Sequence, residues 1–323
     1  MRTALRSGLP AILALAALAI LGGCATGHDP LATENTGPSA ANLTQEVAEK
    51  IAEPAELSIM KGEAFLAAHK FADARAKFAH ALKEQPENDR ARLGLAEAQL
   101  GLRQLVDALS GFESVMESEP LRAQALQGRG VVLSLMGRDT LALPLLRQAV
   151  SRDPTLWRAW NAIGRSHAIA GEAAQALASY DRALLSNPQA APVHNNRGMA
   201  LMMAKRYDEA EEAFRRALAI DHDLPAAEMN LRLALAWQGK YDEALAGLKR
   251  SEAPPTLNNI GFVAMERGDF AKAKIFFTKA MEISPSYYPT AAKNLEYLEQ
   301  QSRKVAAAPA ATGAQPAAVA MQD

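Results

Sequence analysis

Pro86, Pro120, Pro154 and Pro188 stand 34 residues apart (120−86, 154−120, 188−154). Ahead of each lies a triplet at fixed offsets, small–large–small in most cases: Ala74-Phe78-Ala81, Ala108-Phe112-Val115, Ala142-Leu146-Ala149 and Ala176-Tyr180-Ala183. The triplet returns as Ala210-Phe214-Ala217 and Ala273-Phe277-Ala280, and a glycine recurs upstream at Gly62, Gly130, Gly164, Gly198 and Gly261. Such a period restricts the fold more than any other property of the chain. Each period is one supersecondary unit that cannot bury its apolar face alone, so neighbours must stack into a continuous core. Composition supports helices as the stacked element: aromatics are 6% and alanine is abundant, which suits close-packed helices better than a pleated sheet.

The pattern resembles the tetratricopeptide repeat (TPR), a helix–turn–helix of 34 residues. Residues 157–190 match it best, with Trp160, Ile163, Gly164, Gly171, Ala176, Tyr180, Ala183 and Pro188 on the family's signature positions. The resemblance covers roughly 55–287 and implies an all-α superhelical solenoid of about seven units: 55–88, 89–122, 123–156, 157–190, 191–224, 225–253 and 254–287. Small residues let the first helix of a unit, helix A, lie close to its second, helix B. Gly137, Gly171, Gly239 and Gly268 fall where helix A should end in a left-handed residue. The unit-closing proline stops helix B.

Two places depart from the ruler. Three units beyond Pro188 it calls for proline at position 290, which is Thr290; the matching proline is Pro285. The missing residues fall around KRSEAPPTLNN, so helix B of unit six is expected to end near Arg250. Pro144 lies inside helix B of unit three and predicts a kink. Residues 288–304 read as a polar-faced capping helix, 44–53 as a counterpart at the front, and the Ala/Pro-rich 305–323 as a disordered tail.

The N-terminus reads as an export signal: Arg2 and Arg6, an apolar run from Pro10 to Leu21, then Gly22 and Gly23. The run is too short to span a bilayer, which takes roughly 20 residues. Leu21-Gly22-Gly23-Cys24 resembles the lipobox of bacterial lipoproteins, and Cys24 is the chain's only cysteine. The resemblance implies cleavage after residue 23, lipid on the Cys24 thiol, and a flexible tether over 24–43. Several acyl chains anchor durably where one is marginal. Ala25 stands where aspartate would retain such a protein in the inner membrane, so the expected location is the outer membrane, facing the periplasm.

Net charge is −1, without the basic face that DNA or RNA binding requires. The histidines at 28, 69, 80, 167, 194 and 222 are scattered, and no metal-ligand spacing, phosphate loop or nucleophile–base set appears. Neither an enzyme, a metal nor a cofactor is expected. The TPR resemblance instead implies a peptide-binding groove lined by helix A. Carried onto the later units, its positions fall on Asn161, Arg165, Asn195, Asn196, Met199, Met202, Met203, Met229, Asn230, Leu233, Trp237, Asn258, Asn259, Phe262 and Met265. A carboxamide both donates and accepts, so the asparagines could hold a peptide backbone. The methionines offer an adaptable apolar surface. The same asparagines could equally bond between neighbouring helices, and the methionines fill gaps.

The ending LNNIGFVAMERGDFAKAKIFFTKAMEISPSYYPTAAKNLEYLE is similar to the last units of the TadD-type TPR lipoproteins of tight-adherence (Flp, type IVb) pili. That resemblance implies protein partners among the pilus components, including its secretin. The alternative is an adaptor tethering envelope hydrolases or proteases.

Overall fold

The computed structural model describes residues 53–284 and 289–307. The export signal 1–23, Cys24, the tether 24–43, most of the front segment 44–53 and the tail from 308 lie outside the described residues. Fifteen helices are present among them, and fourteen form seven antiparallel A/B pairs. These are α1 (Ala55–Ala67) with α2 (Phe71–Glu84), α3 (Asp89–Gly101) with α4 (Leu105–Ser114), and α5 (Arg122–Leu135) with α6 (Asp139–Arg152). Next come α7 (Trp157–Ile169) with α8 (Ala173–Ser186), and α9 (Ala191–Met203) with α10 (Tyr207–Ile220). The last pairs are α11 (Pro225–Trp237) with α12 (Tyr241–Leu245), and α13 (Ala253–Glu266) with α14 (Phe270–Ile283); α15 (Pro289–Ala307) closes the series. The helices group into two bodies that divide between Ala227 and Glu228. The architecture is the expected all-helical stack of seven repeats with a terminal cap.

Each regular pair is held by one interlock. A large residue of helix B lies over a small residue of its own helix A. A Cβ built on Gly164 would stand 2.6 Å from the Tyr180 ring, and one on Gly198 2.5 Å from Phe214. Gly62 faces Phe78 and Gly261 faces Phe277 in the same way, each at 2.8 Å. Phe78 and Phe112 also press on the following unit, against Gly94 and Gly128. The triplet's large residue thus fills the gap between units as well as within them. All are fully buried, and burying such a side chain contributes about 1.5–3 kcal/mol.

The helix A–helix B turn needs one left-handed residue. Glycine supplies it at Gly137, Gly171, Gly239 and Gly268, with φ between 73° and 85°. His69, Arg103 and Lys205 hold the same place with φ near 60°. The turn is therefore set by the chain reversal and not by the residue type. After helix B, an Asx turn recurs at 34-residue spacing. Asp153, Asn187 and Asp221 each accept, through Oδ1, the backbone N–H two residues on, at 2.9, 3.2 and 3.1 Å.

Three expectations are corrected. Helix α12 ends at Leu245, after little more than one turn, instead of near Arg250. Helix α6 continues without interruption through Pro144; that proline is the helix's sixth residue, so the bond it forgoes is to the Thr140 carbonyl in the opening turn. The cap α15 continues three residues into the segment expected to be disordered.

Candidate functional site

The asparagines of helix A connect successive units. Within the first body, Asn196 Nδ2 donates to Asn161 Oδ1 at 3.0 Å, and Asn195 Nδ2 to Asn196 Oδ1 at 3.5 Å. Within the second, Asn294 Nδ2 of the cap donates to Asn258 Oδ1 at 2.9 Å, and Asn258 Nδ2 to Asn259 Oδ1 at 3.4 Å. Gln127 holds the same repeat position one unit before Asn161, and its Oε1 accepts the Ala159 N–H at 3.1 Å. Asn195, Asn230 and Asn258 are only 5%, 2% and 3% exposed. A buried carboxamide must be satisfied inside the protein: Asn258 accepts from Asn294 of the cap, and Asn195 donates to Asn196 of its own helix, which in turn bonds the preceding helix A. Asn196 and Asn259 remain half-buried.

The other predicted groove residues divide between the two bodies. Met199, Met202 and Met203 are half-buried in the first. In the second, Met229 is half-buried and Met265 is buried, while Leu233, Trp237 and Phe262 pack against the core. Arg165 belongs to a polar network of its own. Its Nη2 donates to Ser134 Oγ at 2.6 Å, and Asp139 Oδ1 accepts from both Ser134 and Ser166 Oγ at 2.8 Å. Burial pushes the Arg165 guanidinium pKa down, and the nearby Asp139 charge opposes the shift.

The first body also carries a partly open cavity of about 480 Å³ that none of the predicted groove residues lines. It runs from the end of helix A in unit one to the end of helix B in unit five. Phe71, Leu100, Val131 and Trp157 give it apolar walls, and Glu97, Arg158 and Asp221 bring charge. Burial pushes the Glu97 carboxyl pKa above its usual range, and the Arg158 charge pulls the other way. Arg158 itself lies over the Trp157 ring, 5.2 Å from its centroid. Among the described residues, no group of His, Cys, Asp and Glu could hold a metal ion.

One signal in the sequence points to Glu97. It occupies the helix-A position of Arg165, Met199, Leu233 and Phe262, counted back by the ruler. Applied to the early units, the same position yields Glu63, Glu97 and Val131. The absence of the asparagine ladder from those units hid it. Glu63 is bonded to Arg90; Glu97 and Val131 line the cavity.

Three family models described as tetratricopeptide repeat match the chain, over residues 136–192 and 161–225, 65–130, and 254–287. No curated protein matches. Among solved structures, the human IFIT1 dimer with m7Gppp-AAAA is similar at 16% identity and TM-score 0.55, covering 82% of this chain and 69% of that one. The APC/C hetero-tetramer Cut9-Hcn1 aligns at 17% identity and TM-score 0.52, over 80% of this chain and 45% of the other. A tetratricopeptide repeat protein from Parabacteroides merdae aligns at 17% identity and TM-score 0.46, over 76% and 98%. At these identities the likeness is one of fold.

Proposed function

The chain belongs to the tetratricopeptide-repeat family, and from that premise we propose that it is a lipid-anchored scaffold on the periplasmic face of the outer membrane, assisting assembly of a tight-adherence pilus or its secretin. The general part follows from the family: stacked helix pairs bind protein partners. The anchoring part is carried by one observation, the position of the chain's only cysteine. Cys24 closes Leu21-Gly22-Gly23-Cys24 directly after an apolar run. A thiolate there is a competent nucleophile toward a lipid donor. No helix among the described residues is long and apolar enough to cross a membrane. The pilus part draws on the likeness of residues 257–299 to the last units of the TadD-type lipoproteins.

Two measurements test it. Cys24→Ser should abolish metabolic labelling with palmitate and release the protein from the membrane fraction. Unchanged labelling and attachment would end the anchoring reading. Photo-crosslinking in cells from position 202, followed by mass spectrometry, should capture a secretin or another pilus component. Capture of an envelope hydrolase or protease would replace the pilus reading with the adaptor reading.

A further inference from the structure

We propose that the cavity of the first body receives an arginine or lysine side chain from an extended segment of a partner protein, with Glu97 as its counter-ion. This rests on the scaffold reading above and adds the chemistry of what is bound.

Size, charge and supply support it. At about 480 Å³ the cavity is within the ~300–1,000 Å³ of ligand sites, large enough for a long side chain and part of its backbone. Its charged lining leans acidic: two carboxylates, Glu97 and Asp221, against one guanidinium, Arg158, with His69. Among the described residues Glu97 has no hydrogen bond or ion pair; Arg158 acts on it only through space. A half-buried carboxylate without a partner is poorly compensated, and an entering cation would pair it. Phe71 and Trp157 in the lining offer apolar surface to the aliphatic stem of a long cationic side chain. Gln127, whose Oε1 is taken by Ala159, keeps an amide N–H₂ in the lining for a backbone carbonyl.

The flanking residues 24–52 hold a single cation, Lys50, and residues 308–323 hold none. The side chain is therefore assigned to a partner protein.

The test uses the full chain in detergent, labelled with 5-fluorotryptophan at its three tryptophans, 157, 160 and 237, and observed by fluorine NMR. The probes are Ac-Ala-Ala-Arg-Ala-Ala-NH2 and the same peptide with citrulline, which is isosteric but uncharged. The arginine peptide should move the Trp157 signal and leave Trp237 in place, while the citrulline peptide binds at least tenfold more weakly. Glu97→Gln should weaken the arginine peptide about tenfold, equivalent to ~1.4 kcal/mol, and erase its advantage over citrulline. The variant should melt no lower than the parent, because it removes a half-buried charge that has no partner. No Trp157 response at millimolar arginine peptide, equal binding of the two peptides, or equal binding by Glu97→Gln would each overturn the proposal. So would a Trp157 shift produced by AMP and not by the peptide. If Trp157 is silent while crosslinks from position 202 still capture a partner, the cavity assignment fails and the scaffold reading stands.

Discussion

Units one to five and seven solve the packing of two helices in one way, and unit six solves it in another. In the regular units a small helix-A residue lies under a large helix-B residue: Gly62 under Phe78, Ala96 under Phe112, Gly130 under Leu146, Gly164 under Tyr180, Gly198 under Phe214, Gly261 under Phe277. Counted by the ruler, unit six has Arg232 and Leu248 at these places. Helix α12 stops at Leu245, so Leu248 lies past the helix. The guanidinium of Arg232, only 8% exposed, takes over. Its Nη1 donates to the carbonyls of Ala244 at 2.7 Å and Ala246 at 2.9 Å, and its Nη2 to Glu228 at 2.8 Å. The last carbonyls of any helix lack intrahelical partners, and here a side chain from the paired helix supplies them. The left-handed residues record the same deletion: they are 34 residues apart up to Gly239, then 29 to Gly268 (268−239). A shortened repeat is tolerated when a polar clamp replaces the apolar interlock.

Phe214→Ala, which empties the interlock over Gly198, should have the largest effect. It should cost about 3–5 kcal/mol, read as a fall in the urea midpoint. Arg232→Met should follow at roughly 3 kcal/mol, because it strands two carbonyls and leaves Glu228 without its partner. If the arginine were incidental to the shortened helix, Arg232→Met would be neutral in the same titration. Asn196→Ala removes one bond between units and should cost about 1 kcal/mol. A variant of unchanged stability with lost partner crosslinking would instead make Asn196 a contact residue. Lys205→Gly should raise stability by roughly 1 kcal/mol, since glycine adopts that left-handed backbone without a Cβ penalty. Gly171→Ala, with open space around its Cβ position, should lower stability by a similar amount in the same melting experiment.

The fold was legible because the repeat writes each packing rule several times. Gly164 and Tyr180 alone would be a coincidence of small and large; recurring at a fixed spacing they define a helix pair. The site was less legible. Asn161, Asn195, Asn196 and Asn258 stand at positions the family's groove would use, yet a sequence cannot say whether a carboxamide faces a ligand or the next helix. Here Asn161, Asn196 and Asn258 bond across to neighbouring helices, and Asn195 bonds to Asn196 beside it. Glu97 was available by the same position count, but nothing local distinguishes it from Glu63, which Arg90 neutralises on the surface.

Periodicity by itself determined the helix pairs and the small–large interlock of the six regular units, because a repeated pattern must bury the same faces wherever it recurs. Tertiary structure alone decided the rest. It placed His69, Arg103 and Lys205 in a left-handed turn, turned Arg232 inward onto a truncated helix, and left Glu97 unpaired in a cavity. The turns and Arg232 depend on how helix A packs against its own helix B, and Glu97 on how the units around the cavity stack; these distances are set by packing and not by the identity of the local residues.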